Sequence, residues 1–167
     1  MILITGVSCH IVKIMAKLFL KDGVDFIGID SVINPDLPEN RFAMIDIRDS
    51  SIGTLMEEKG IDSVIHLAFC TKPKIPAATR DDIDFNGSRN IIDCAVQRGV
   101  KNIVFTSSCR VYGDSHKEGG LHDRDGNYLN PQDDFYARNK IKAEELFLKA
   151  GDESGLNVAV LRLAIVC

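Results

Sequence analysis

Short apolar segments alternate with longer segments of helical periodicity along the whole chain. Six of the short segments are continuous apolar runs, which are typical of parallel strands covered on both faces. These predicted strands span residues 2–5, 25–30, 42–45, 63–67, 102–106 and 158–163. Between them, the hydrophobic periodicity predicts helices near residues 11–21, 51–59, 82–98 and 134–154.

A glycine follows each predicted helix, at the place where a left-handed backbone conformation commonly ends one. These glycines are Gly23, Gly60, Gly99 and Gly155. Strands that alternate with helices build βαβ units, whose crossovers are almost always right-handed. We therefore predict one α/β domain over residues 1–167, a doubly wound parallel sheet of about six strands in the Rossmann order 3-2-1-4-5-6. Functional residues should then lie at the carboxyl ends of the strands.

The composition excludes several classes of protein. Of 167 residues, 45% are hydrophobic and 26% are charged, which is ordinary for a globular domain. A net charge of -4 and scattered basic residues argue against a nucleic-acid partner. Since the sequence has neither an apolar run of membrane-spanning length nor a signal-peptide pattern, we expect no membrane partner and a cytoplasmic location.

Cysteine and histidine positions bear on metal binding. The five cysteines form no Cys-x-x-Cys pair, so we expect reduced thiols and no metal site. His66 ends the fourth predicted strand and could be a ligand or a base, but a structural role is favoured for a histidine without a partner in the sequence.

The longest irregular stretch, residues 113–133, is polar, and we predict a functional loop there rather than a surface excursion.

The first predicted strand leads through Thr5 and Gly6 directly into a helix, as in a dinucleotide-binding turn. Such a turn usually has three glycines, and here Cys9 and Val12 stand at the second and third positions, so phosphate binding is expected to be weakened. The helix N-terminus still presents backbone N–H groups that attract an anion. The residues predicted to meet the cofactor here are Gly6, Ser8, Cys9, His10 and Ile11.

Asp30 ends the second predicted strand, about where a carboxylate accepts hydrogen bonds from an adenosine ribose. A carboxylate there would repel a 2′-phosphate, which favours NAD over NADP. Asp46 and Ile47 after the third strand, and Leu67 and Ala68 after the fourth, also lie at carboxyl ends.

Tyr136 and Lys140 are four residues apart on a predicted helix and therefore share one of its faces. A neighbouring positive charge lowers the pKa of a phenol toward the working range of a general acid/base. Ser108 closes the segment after the fifth strand, where its hydroxyl can hydrogen-bond a substrate oxygen. Together the three residues fit the oxidation of an alcohol by hydride transfer.

In this arrangement the chain resembles the extended short-chain dehydrogenase/reductase family, the NAD-dependent nucleotide-sugar epimerases and dehydratases, and most of all the UDP-glucose 4-epimerase group. The motifs that carry the resemblance are Thr5-Gly6, Asp30, Asp46-Ile-Arg-Asp49, Val64-Ile-His-Leu-Ala68, Gly87-Ser-Arg-Asn90, Thr106-Ser-Ser108, Val111-Tyr-Gly113, Tyr136-x-x-x-Lys140, Glu144-Glu145 and Leu161-Arg162. They cover essentially all 167 residues.

The resemblance implies a role for each matching residue. Tyr136 would be the general acid/base, Lys140 would bind the nicotinamide ribose and lower the pKa of Tyr136, and Ser108 would hold the reacting oxygen. The Gly6 turn would meet the pyrophosphate of NAD, and Asp30 the adenosine ribose. The remaining cofactor contacts would come from Asp46 and Ile47, at the adenine, and from Leu67 and Ala68, which would line the cleft.

Departures from the family pattern narrow the expected reaction. Cys109 and Arg110 replace the Asp-Glu pair of the 4,6-dehydratases, so we expect an epimerase rather than a dehydratase. Cys109 also lies one residue away from the catalytic cysteine position of related epimerases, and we interpret it as a packing residue. Asp84 stands where the family tends to have asparagine, which argues against a proton relay at this position.

The resemblance also implies a nucleotide-sugar substrate, a homodimer, and a smaller carboxyl-terminal domain that grips the substrate and that we expect to be missing from residues 1–167. Two alternatives remain open at this stage. One is another reductase of the family that acts on a small carbonyl compound. The other is a non-catalytic Rossmann-fold binding or regulatory protein with an impaired cofactor site, as Cys9 and Val12 suggest.

Overall fold

The structure, a computed structural model, describes residues 1–72, 74–112 and 134–164. Six parallel strands form one sheet in the order β3-β2-β1-β4-β5-β6, as predicted. The strands are β1 (Ile2–Thr5), β2 (Phe26–Asp30), β3 (Phe42–Met44), β4 (Ser63–His66), β5 (Asn102–Ser108) and β6 (Asn157–Leu163). The predicted loop of residues 113–133 lies outside the described residues.

Helices connect the strands and cover the sheet. They are α1 (His10–Lys21), α2 (Ser51–Glu58), α3 (Ala77–Asp81), a π-helical turn (Asp82–Asn86), α4 (Gly87–Gln97) and α5 (Phe135–Ser154), with 3-10 turns at Glu39–Arg41 and Cys109–Tyr112. The four glycines predicted to end helices have φ between 59° and 74°, which confirms their left-handed conformation.

The helix predicted over residues 82–98 differs from prediction in two ways, because α3 precedes it at Ala77–Asp81 and its own first part, Asp82–Asn86, is the π-helical turn. Within that turn the side chain of Asp84 is buried, and it accepts hydrogen bonds from the Cys70 amide at 2.7 Å and from Asn139 Nδ2 at 3.0 Å. The extra residue of a π-turn changes which side chains face inward. Periodicity alone does not reveal these partners, which come from distant parts of the chain.

The two faces of the sheet carry separate hydrophobic clusters. One cluster contains Val12 and Ala16 of α1, packed with Ile4, Val7 and Phe26. The other lies beneath α2, α4 and α5. Its fully buried members include Leu3, Ile29, Ile52, Ile91, Ile103, Phe105 and Phe147. Helices on both faces explain why the strands are continuously apolar.

The strand register brings the predicted site residues to one edge of the sheet. Thr5 at the end of β1 lies opposite Ile29 and His66, and Asp30 at the end of β2 lies opposite Met44. β5 extends two residues beyond its predicted end and places Ser108 opposite Leu163. The carboxyl ends of β1, β2, β4 and β5 therefore meet at one edge.

Gly6 is required where β1 turns toward α1. Its φ is +74°, and a β-carbon there would lie 2.5 Å from the backbone nitrogen of Ala68. Gly23, at the end of α1, has a similar φ of +68° but nothing within 4 Å of an added β-carbon. Substitutions at the two glycines therefore distinguish the effect of backbone strain from the effect of close packing.

We expect Gly6→Ala to lower the free energy of unfolding by about 3 kcal/mol or more, because left-handed strain and backbone overlap add together. Gly23→Ala, the matched control, should lower it by only about 1 kcal/mol, from strain alone. Urea denaturation of both variants measures the difference. Equal losses would show that the approach of Gly6 to Ala68 is not tight.

Candidate functional site

The turn after β1 is held by backbone hydrogen bonds. The Gly6 amide donates to Ile29 O at 2.9 Å, and the Cys9 amide donates to Gly6 O at 3.1 Å. α1 begins at His10, so the amides of its first turn lack the partners that a helix interior supplies, although the Val12 amide donates to Cys9 O at 3.2 Å. The turn therefore keeps an anion-binding arrangement although it contains a single glycine.

Cys9 and Val12, the two departures from the glycine pattern, have different environments. Val12 is fully buried in the hydrophobic cluster beneath α1, as expected for a side chain between helix and strand. Cys9 is partly exposed and lines the cleft. Burial raises the pKa of the Cys9 thiol above its ordinary value, so it is a neutral thiol near neutral pH.

Asp30 is fixed at the end of β2. Its carboxylate accepts hydrogen bonds from the amides of Ser8 at 2.9 Å and Val32 at 3.2 Å. Ser8 Oγ also donates to Val32 O at 3.2 Å. The turn after β1 and the segment after β2 are therefore joined through one carboxylate, which faces the cleft.

Asp46 is bound by Arg48. The Arg48 side chain donates to both carboxylate oxygens of Asp46, at 2.9 and 2.7 Å, and to Asp82 in the π-helical turn at 2.7 Å. Hydrogen bonding from Arg48 is the largest cause of the lowered pKa of Asp46. Ile47 is buried against Gly87, where an added β-carbon would lie 2.4 Å from Ile47 Cδ1.

These residues surround the first of two adjoining cavities in the cleft, with a volume of about 390 Å³. Eight of the residues predicted to bind the cofactor line it: Gly6, Ser8, Cys9, Asp30, Asp46, Ile47, Leu67 and Ala68. His10 lines neither cavity and is exposed on α1, so the structure does not bring it to the predicted site.

The second cavity, of about 240 Å³, contains the predicted catalytic residues. Ser108, Tyr136 and Lys140 all line it, together with Ile11. The Arg110 amide donates to Ser108 Oγ at 3.3 Å, which leaves the hydroxyl free to donate to another group. β5 and α5 therefore bring a hydroxyl, a phenol and an ammonium to one cavity.

Tyr136 stands in the first turn of α5, which Asp134 caps. The Asp134 carboxylate accepts from the Tyr136 amide at 3.0 Å and pairs with Arg110 at 2.7 Å. The Arg110 guanidinium lies 5.8 Å from the centre of the Tyr136 ring. The carboxylate and its paired guanidinium together hold the phenol in place at the edge of the cleft.

The pKa of Tyr136 differs from the sequence-based expectation. Burial raises it above the ordinary value for tyrosine, whereas a nearby lysine was expected to lower it. The cation that most opposes the rise is Arg110. The phenol is therefore protonated at neutral pH, a form that can donate a proton.

Lys140 is almost completely buried, with 2% of the residue exposed. Its ammonium donates to Thr106 O at 2.6 Å. Burial lowers the pKa of Lys140 to about 7, and the negative charges of Asp84 and Glu144 oppose this shift. Asp84 itself has a raised pKa, chiefly because it is buried.

His66 lies in a continuous set of buried hydrogen bonds rather than in the cleft. The Ala68 amide donates to Thr5 Oγ1 at 3.2 Å, and Thr5 Oγ1 lies 2.7 Å from His66 Nδ1. His66 Nε2 lies 3.1 Å from Ser88 Oγ, which donates to Asp84 O at 2.6 Å. Every group is satisfied when Thr5 donates to Nδ1 and Nε2–H donates to Ser88. His66 is therefore a neutral structural residue.

Phe69, Asp134 and the stabilising role of Arg110 were not predicted from the sequence. Asp134 could have been found, because Asp immediately before a predicted helix is a common N-cap. Phe69 and Arg110 act through contacts with α5 that sequence periodicity does not reveal.

Within the described residues, no group of three or more His, Cys, Asp and Glu side chains could hold a metal ion. Of the helices in that part of the chain, none has the length and hydrophobicity needed to cross a membrane.

The neutral state of His66 predicts a pH dependence of stability. Burial lowers its pKa from the ordinary value of 6.5 to about 3, so between these values the unfolded chain binds a proton that the folded chain does not. The free energy of unfolding should therefore fall as the pH decreases below 6.5, by up to about 1.4 kcal/mol per pH unit from His66 alone.

The His66→Gln variant should lose this part of the pH dependence, whereas His10→Gln, at an exposed histidine, should keep it. Urea denaturation between pH 4 and 7 measures how the free energy of unfolding of each variant changes with pH. Over about this range the folded and unfolded chains bind different numbers of protons. An unchanged slope in His66→Gln would contradict a neutral buried imidazole.

Comparisons with known proteins agree with this geometry. The chain is 28% identical over 164 residues to the N-acetyl-alpha-D-glucosaminyl-diphospho-ditrans,octacis-undecaprenol 4-epimerase of Escherichia coli O157:H7, covering 83% of this chain and 48% of that protein. It is 26% identical to the UDP-glucose 4-epimerase of Lacticaseibacillus casei, covering 96% of this chain and 50% of that protein. The chain thus spans about half the length of these curated relatives.

A solved structure of Thermus thermophilus UDP-glucose 4-epimerase in complex with NAD matches 96% of this chain and 54% of that one, with a TM-score of 0.83 and 23% identity. That likeness establishes the fold. The model of the NAD dependent epimerase/dehydratase family matches residues 2–167, which confirms the resemblance inferred from the motifs. The chain therefore belongs to the NAD dependent epimerase/dehydratase family.

Proposed function

We propose that this chain is the cofactor-binding part of an NAD-dependent nucleotide-sugar epimerase. The observation that carries the proposal is that Ser108, Tyr136 and Lys140 line the second cavity, which adjoins the first cavity with its Gly6 turn and Asp30. An elongated dinucleotide needs such a continuous cleft at the carboxyl edge of a doubly wound sheet. The epimerases among the relatives favour this reaction over others of the family.

The residues of the first cavity fit NAD. The pyrophosphate would lie at the Gly6 turn and the first amides of α1, and the adenosine ribose at Asp30. Asp46 and Ile47 would border the adenine, while Leu67 and Ala68 would line the path between the two cavities. The carboxylate of Asp30 supports NAD rather than NADP, since a 2′-phosphate beside it would be repelled.

The residues of the second cavity fit acid/base chemistry at a sugar hydroxyl. Bound NAD supplies reversible hydride acceptance. Ser108 would hold the reacting oxygen, and Tyr136 would move the proton between that oxygen and its phenol. Because the pKa of Tyr136 is raised, accepting a proton requires stabilisation of the phenolate, for which Arg110 and Lys140 are the nearby cations.

The residues after Ser108 support an epimerase rather than a dehydratase. Elimination of water needs an additional acid and base, and these positions contain Cys109 and Arg110. The Arg110 guanidinium is paired with Asp134, which gives it a role in positioning Tyr136.

We further propose that complete activity needs a substrate-binding part besides residues 1–167, since the chain spans about half of its curated relatives. A nucleotide sugar is the proposed substrate. The homodimer and the cytoplasmic location stay predictions.

Titration with NADH tests the cofactor proposal directly. Nicotinamide fluorescence should saturate, and NADPH should bind more weakly than NADH. Asp30→Asn should weaken NADH binding about tenfold, because charged hydrogen bonds to the ribose are lost, and should reduce the preference over NADPH.

Asp36→Asn is the matched control, since Asp36 pairs with Lys13 on the surface and lines neither cavity. Its NADH affinity should equal that of the unsubstituted chain. Absence of saturable NADH binding would refute the cofactor proposal and favour the non-catalytic alternative.

Substitutions in the second cavity test the reaction. In protein that contains this chain and interconverts UDP-glucose and UDP-galactose, Tyr136→Phe and Ser108→Ala should each lower kcat about 10²- to 10⁴-fold, because proton transfer or its alignment is lost. Cys109→Ala, which leaves the hydroxyl, phenol and ammonium in place, serves as the comparison. A larger loss in Cys109→Ala than in Tyr136→Phe would contradict the assignment.

A further inference from the structure

The ammonium of Lys140 is enclosed by aromatic rings. Its Nζ lies 3.7 Å from the centre of the Phe69 ring, 4.7 Å from that of Phe105 and 5.7 Å from that of Tyr136. Thr106 O accepts its hydrogen bond at 2.6 Å. Phe69 is therefore the ring nearest to the Lys140 ammonium, and it covers a hydrogen-bond donor that would otherwise face the cleft.

Phe69 also stands at the boundary between the two cavities. It is among the few residues that line both, with Cys9, Leu67 and Thr71. Its ring packs edge-on against Tyr136, with 5.8 Å between ring centres and an interplanar angle of 89°. A ligand that extends from Asp30 to Tyr136 must therefore pass the Phe69 ring.

The Phe69 ring is less enclosed than that of Phe105. β4 ends at His66, and residues 67–72, which include Phe69, form neither a helix nor a strand. The residue is partly exposed, whereas Phe105, the next ring around Lys140, is fully buried in the core. Phe69 packs against the edge of the core, with its ring centre 6.2 Å from that of Phe105, so it is the outer of the two rings.

We propose that Phe69 is a gate residue whose ring covers the ammonium of Lys140 and must move aside before a dinucleotide can occupy both cavities. The inference rests on the proposed NAD site and adds a residue that controls access to it. Binding must replace the contact between ring and ammonium by hydrogen bonds from Lys140 to the ligand. Phe69 therefore lowers the affinity for the dinucleotide and positions Lys140 between binding events.

Removing the ring should strengthen cofactor binding. Phe69→Ala should bind NADH about 3- to 30-fold more tightly than the unsubstituted chain, the range expected for the loss of a competing cation–π contact. Phe69→Leu keeps an apolar side chain without a π face, and its gain in NADH affinity should be smaller. It also serves as the test variant if Phe69→Ala does not fold.

Phe19→Ala is the matched control. Phe19 belongs to α1, packs edge-on against Phe26 and lines neither cavity. Loss of its ring should therefore reduce stability without a gain in NADH affinity. Nicotinamide fluorescence gives the affinities of all variants, and circular dichroism shows whether each is folded.

The protonation of Lys140 provides a readout that needs no cofactor. In Phe69→Ala the ammonium gains access to water, so its pKa should rise from about 7 toward the ordinary value for lysine. NMR titration of isotope-labelled lysine side chains, assigned with Lys140→Arg, measures this change. The other titratable groups that affect the pKa of Lys140 are Asp84, Glu144 and Cys9, and both proteins contain all three.

The outcomes separate the gate from the proposed function. If the unsubstituted chain binds NADH but Phe69→Ala and Phe69→Leu bind no more tightly, the gate is refuted while the cofactor proposal stands. If none of the proteins binds NADH, the cofactor proposal is refuted and the gate with it. Tighter binding in Phe69→Ala together with a raised pKa of Lys140 supports both.

Discussion

The positions of the site residues depend on the hydrogen bonds buried beneath the carboxyl edge of the sheet. They connect Thr5 in β1, His66 in β4, Ser88 in α4 and Asp84 in the π-helical turn. Each buried donor or acceptor that lost its partner would cost about 1–3 kcal/mol, so the elements cannot shift independently. Through Asn139, which donates to Asp84 at 3.0 Å, the same bonds reach the helix that bears the proposed acid/base.

Local sequence patterns were sufficient to predict the sheet and the three side chains that come together in the second cavity, whereas the catalytic roles of those side chains stay predictions. Continuous apolar runs identify strands covered on both faces, and Ser108, Tyr136 and Lys140 follow from their spacing and their place after β5. The π-helical turn and Phe69 could not be predicted in the same way. Both depend on side chains that become neighbours only after the sheet has formed.

Burial has more effect on the pKa of Tyr136 than its spacing from Lys140. Sequence spacing places Lys140 on the same helical face, yet burial raises the pKa of the phenol, and the cation that most opposes this rise is Arg110. Burial also removes Lys140 from water and surrounds it with rings. The distance between two residues in a sequence predicts their proximity, whereas the dielectric environment of the pair depends on the packing of the whole edge.

In the proposed complex a dinucleotide lies across both cavities and displaces Phe69 from Lys140. A crystal structure of the chain with NAD⁺ would show whether it does so. We expect the pyrophosphate at the Gly6 turn, a ribose hydrogen-bonded to Asp30, and Lys140 in contact with the second ribose after the Phe69 ring has moved. NAD⁺ bound elsewhere, or bound in the cleft with the Phe69 ring still covering Lys140, would contradict it.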